Sequence, residues 1–96
     1  MSNNEFLVLE RLNQVGSDQR VYRFPNGYGA SVIRGEFTYG GKDNLYELAI
    51  VKFNSEGPDD FEIVYDTGIS EDVIGYLGQE EVYSYLTKIK LLEIRS

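Results

Sequence analysis

The chain has 96 residues, of which nine are lysine or arginine and sixteen aspartate or glutamate, for a formal charge of -7; 42% are hydrophobic and 14% aromatic. That length supports one core rather than two, and that hydrophobicity excludes a disordered acidic tail. Cysteine and histidine are both absent, which removes disulfides, thiol nucleophiles, imidazole bases and the usual zinc ligand sets.

Residues 6–15 fit two templates. Phe6, Val8 and Leu12 suit a strand, whereas Val8, Leu9, Leu12 and Val15 fit a helical stripe. The turn chemistry of Gly16-Ser17-Asp18 and the strand-like Arg20 to Phe24 favour a strand and a first hairpin. Phe24-Pro25-Asn26-Gly27-Tyr28 is the sharpest local signal. A two-residue Asn-Gly turn would put Pro25 where the ladder needs an N–H. A type I turn with Gly27 left-handed avoids this, pairs Phe24 with Tyr28 and sets Tyr22 opposite Ala30.

The strand from Tyr28 is predicted to run through Val32 and Ile33 towards Phe37 and Tyr39, with a bulge or bend at Gly35. Leu48-Ala49-Ile50-Val51 within residues 45–53 reads as a central strand covered on both faces. After the polar loop 54–60, Phe61, Ile63 and Tyr65 alternate with Glu62, Val64 and Asp66 as in a half-exposed strand. Ser70, Glu71 and Asp72 resemble a cap and acidic first turn of a short helix carrying Val73, Ile74, Tyr76 and Leu77, ended by Gly78. Val82, Tyr85, Leu86, Ile89 and Leu92 then fall on one face of a longer helix, with Glu80 and Glu81 near its start and Lys88 and Lys90 near its end. The expected fold is an α+β domain over residues 1–96, an antiparallel sheet of four to five strands with one short and one longer C-terminal helix packed on one face.

Charge is unevenly distributed. Residues 43–81 hold eleven acids against the single base Lys52, while residues 1–42 and 82–96 are slightly basic. Such a segment can form one negative docking face for a basic protein; the simpler reading is a solvated, solubilising face. On the docking reading the contacts are Glu56, Asp59, Asp60, Glu62, Glu71, Asp72, Glu80 and Glu81, with Tyr83, which points away from the helix's apolar stripe, as an aromatic anchor.

Other chemistries lack a pattern. Lone serines such as Ser31 and Ser84 have no histidine to activate them, so no enzyme is expected. Neither residues 56–60 nor 66–72 spell an EF-hand loop, and the glycines at 27, 29, 35, 40 and 41 do not form a phosphate cradle, so no metal or cofactor is expected. Arg20, Arg23, Arg34 and Lys42 alternate with Tyr22, Phe24 and Tyr28 as in a single-strand platform, but the net charge opposes direct nucleic-acid binding. There is no apolar run of about 18 residues and no cationic leader, so the expected location is cytoplasmic and off the membrane.

The run from Phe24 to Ile33, with Tyr46 to Ile50, Tyr65-Asp66-Thr67 and Asp72 to Leu77, resembles small uncharacterised proteins encoded by bacteriophages and prophages. The resemblance implies an accessory protein that binds a host or phage macromolecule, a class that includes acidic inhibitors of host defence nucleases. It implies no activity and no catalytic residue. The alternative from the residues themselves is a structural or assembly protein, a homo-oligomer joined through a sheet edge.

Overall fold

The computed structural model describes residues 6–14, 17–35, 45–65, 67–69 and 73–92. Their elements run β1 (Leu7–Gln14), β2 (Ser17–Arg23), β3 (Tyr28–Gly35), β4 (Tyr46–Phe53), β5 (Phe61–Ile63), β6 (Ile74–Leu77) and α1 (Gln79–Lys90). All paired strands are antiparallel, in the order β1-β2-β3-β4-β5, with β6 also paired to β4. The α+β class expected from the sequence is therefore present.

The turn between β2 and β3 takes the proline-compatible form. Gly27 N–H donates to the Phe24 carbonyl (3.0 Å) and Phe24 N–H to the Tyr28 carbonyl (2.8 Å). Gly27 sits at φ +85°, in the left-handed region where a glycine is cheapest. The register that follows pairs Tyr22 with Ala30 and continues without a shift to Ser17 opposite Gly35. Gly35, the position of the expected bulge or bend, is the last described residue of β3; Phe37 and Tyr39 lie outside the described residues.

β4 is the central strand. β3 occupies one side along its length, and β5 and β6 lie end to end along the other, opposite Val51–Phe53 and Tyr46–Leu48. Leu48, Ala49, Ile50 and Val51 are all buried, because alternate residues enter two different clusters. Leu48 and Ile50 join Ala30, Val32, Leu77 and the α1 residues Val82, Leu86 and Ile89 in the main core. Burying each such α1 side chain contributes about 1.5–3 kcal/mol, and this fastens the helix to the sheet. On the other face, Val21, Val51 and Phe53 form a small cluster with Leu9 and Phe61. No helix covers that side among the described residues. The Phe53 and Phe61 rings meet edge to face (5.5 Å), and the Arg23 guanidinium lies 5.0 Å over Phe53.

One expected element is different. The short helix read over Val73–Leu77 is the sixth strand, β6, and Gly78 does not end a helix but is the N-cap of α1. Ser70, Glu71 and Asp72, read as that helix's cap and first turn, lie outside the described residues. Ile74 and Leu77 are three apart in β6 but pair with Leu48 and Tyr46, only two apart in β4. The extra residue is a bulge in which Tyr76 takes φ +58°, a conformation costly for a side chain other than glycine. The bulge returns Ile74 and Leu77 to the same face, where both pack on the main core. A spacing of three on one face is also how a helix presents its apolar residues, and hence the misreading. The longer helix is as expected, with Val82, Leu86 and Ile89 buried.

Candidate interaction surface

The sheet topology decides which acidic residues share a surface. Glu56, Asp59 and Asp60 occupy the β4–β5 loop, and Glu62 lies on β5. Glu80 and Glu81 open α1, which starts where Leu77 pairs with Tyr46, at the other end of β4 from that loop. Seven steps of strand separate these ends by roughly 23 Å. Among the described residues, the acids of the β4–β5 loop and β5 and those of the α1 start therefore lie at opposite ends of the sheet. Glu71 and Asp72 fall outside the described residues.

The loop acids also divide by role. Asp60 holds the loop together: its carboxylate accepts from Ser55 Oγ (2.6 Å) and Asn54 Nδ2 (3.4 Å), while Asn54 N–H donates to the Asp60 carbonyl (2.9 Å). Ser55 Oγ accepts in turn from Gly57 N–H (3.2 Å). Glu56 reaches Arg23 at 3.7 Å with its side chain wholly exposed, a surface pair worth little in water. The side chains of Asp59 and Glu62 make no hydrogen bond or ion pair among the described residues. Glu62 stands opposite Lys52 in the ladder, and the Lys52 ammonium lies 6.0 Å from the Tyr28 ring.

At the other end Glu81 has a structural task. Its carboxylate accepts from Gly78 N–H (3.1 Å), satisfying a donor that the helix start leaves open. Glu80 complements the helix dipole from the first turn. Tyr83 is 38% exposed, away from the apolar stripe as its phase requires; Tyr85 packs against the core, with the Lys88 ammonium 5.1 Å from its ring.

The basic and aromatic residues of β2 and β3 do not form an open platform. Phe24 and Tyr28 are buried in the main core, with Tyr22 packed against them. Arg20 is held by Glu10 (2.8 Å) and Arg34 lies 3.7 Å from Asp18 and 5.3 Å over the Tyr46 ring. The hydrogen bond to Glu10 raises the Arg20 pKa further. Burial pushes the Tyr22 phenol above its usual value, with Arg20 opposing the shift and Glu10 and Tyr46 adding to it. No three acidic side chains among the described residues converge as a metal site requires, and no helix among them is long and apolar enough to cross a membrane.

Two surface features escaped the charge-based reading. Ile63 and Tyr65, read as alternating with Glu62, Val64 and Asp66 in a half-exposed strand, are 44% and 50% exposed, and it is Val64 that packs on the main core. The helix covers the Val64 side of the strand and leaves the Ile63 side open. Asn26, read as a turn residue, also donates from Nδ2 to the carbonyls of Ile89 (2.9 Å), Lys90 (3.2 Å) and Leu92 (2.9 Å) at the end of α1. A signal for it was present in the sequence: no glycine follows Lys90 to close the helix, which leaves carbonyls at its end open to a donor from elsewhere.

Neither a family model, a curated protein nor a solved structure matches this chain.

Proposed function

We propose that this protein is a non-enzymatic accessory protein of the bacteriophage type that captures a basic host or phage protein through the β4–β5 hairpin. The observation that supports this reading best is the composition of residues 54–65, which hold Glu56, Asp59, Asp60 and Glu62 and no base. The loop is tied by the Asp60 hydrogen bonds, so the segment that carries Asp59 and Glu62 is ordered before binding and only their side chains remain to be fixed. Inhibition of a nucleic-acid-binding protein or a defence nuclease is the biological role this chemistry suits, since such partners carry cationic grooves. Glu80, Glu81 and Tyr83 belong to the opposite end and are secondary contacts at most.

Charge reversal at Asp59→Lys and Glu62→Lys tests the reading by titration of the folded protein with oligolysine at low and high salt. Weakened, salt-sensitive binding is expected, with Glu80→Lys as the control that leaves it largely intact. Equal binding by all variants, or none by the parent protein at low salt, overturns it. Self-association through a sheet edge has less support. β1 carries register shifts between Leu7 and Leu9 and between Arg11 and Gln14, and the opposite edge is divided between β5 and β6. A register-shifted edge such as that of β1 pairs poorly with a second copy, and at the β5 edge the acids of residues 54–65 repel an identical chain.

A further inference from the structure

We propose that the outer edge of β5 receives an extended strand of the basic partner, one whose side chains alternate between cationic and apolar. The proposal rests on the preceding reading of the hairpin and specifies the chemistry of its partner. β5 pairs with β4 on one side only, and Val64 N–H donating to the Ile50 carbonyl (2.9 Å) extends that pairing by one residue. The other side has no strand partner among the described residues.

An exposed sheet edge is ordinarily protected by lysine, proline or a bulge. Here Ile63 and Tyr65 stand at alternate positions with about half their surface in solvent, and Glu62 points to the opposite face between Phe61 and Ile63. A strand added to this edge would place every second side chain beside Ile63 and Tyr65 and the intervening one beside Glu62. Apolar residues fit the first set and a lysine or arginine the second. Charge selects such a partner over a second copy, because the chain carries -7 and residues 54–65 hold four acids and no base.

Two short peptides of equal charge separate the possibilities: one alternating valine and lysine, the other oligolysine. NMR titration of the full chain is expected to show the alternating peptide binding roughly tenfold tighter, with shifts centred on the amides of residues 61–65. N-methylation of the peptide's pairing amides, or Ile63→Ser with Tyr65→Ser in the protein, should remove that advantage while leaving oligolysine binding in place. Both protein positions are exposed, so the fold is retained, and the N-methylated peptide needs no variant. Equal affinity for the two peptides overturns edge pairing but leaves the acidic hairpin as a binding surface. Binding of neither peptide at low salt overturns both readings, and dimerisation of the free chain through residues 61–65 overturns the choice of a foreign strand.

Discussion

Asn26 and Ile89, 63 positions apart in the chain, are joined by a hydrogen bond of 2.9 Å from the Asn26 amide to the Ile89 carbonyl. The same amide reaches the carbonyls of Lys90 and Leu92, while Asn26 Oδ1 accepts from Tyr28 N–H (3.0 Å). One side chain thus orders the β2–β3 turn and closes the end of α1. Asn26→Ala should destabilise the protein by about 1 kcal/mol, since it removes the side-chain donor to the Lys90 and Leu92 carbonyls, whereas that of Ile89 still accepts from Leu92 N–H (3.1 Å). Asn26→Asp should cost more, by setting a carboxylate against carbonyl oxygens; chemical denaturation of both variants checks the order.

Gly29 tests the layer of side chains on the helix-free face. A Cβ at this position would overlap the Tyr22 carbonyl and stand 2.8 Å from the Phe53 ring. Gly29→Ala is therefore expected to lower stability by about 3 kcal/mol or more, chiefly by forcing the β2 backbone at Tyr22 away and also by displacing Phe53 from its cluster with Val21 and Val51. A melting temperature equal to that of the parent would contradict this packing.

Glu81 closes the start of α1 by accepting from Gly78 N–H (3.1 Å). Removing its carboxylate in Glu81→Ala should cost about 0.5–1 kcal/mol in a thermal melt, with no loss of oligolysine binding. A large loss of binding without a change in stability would return Glu81 to the interaction surface.

Alkaline stability should report on Tyr22. The folded state holds its phenolic proton more tightly than the unfolded chain, whose value is 10.0. The stability linked to it is complete below about pH 10 and falls as pH rises through the higher folded value. The denaturation midpoint should drop over that range, and less so in Tyr22→Phe; an identical drop in that variant would assign the effect elsewhere.

Legibility in the sequence followed the range of the interactions. The Pro25-Asn26-Gly27 turn was readable because proline's missing N–H and glycine's left-handed freedom act within a few residues. The apolar run 48–51 was readable because only a doubly covered strand tolerates it, and α1 because its buried face repeats with the helical period. β6 was not. Its three-residue spacing is produced by a bulge, and the bulge exists only because β4 offers Tyr46 and Leu48 as partners. The candidate surface behaved likewise: the sequence counted the charges, but β5 and β6 share one edge of β4 with the loop at one end and the helix start at the other.

By itself, then, the sequence determined the α+β class, the tight turn, the central strand, the C-terminal helix and an acidic stretch, all of which depend on local sterics and periodicity. Tertiary structure decided that the described acids of the stretch are divided between two ends, that Asp60 ties its loop and Glu81 caps the helix, and that Ile63 and Tyr65 are half exposed. Those outcomes depend on which strand lies beside which and on which face the helix covers, relationships that no short window of residues contains.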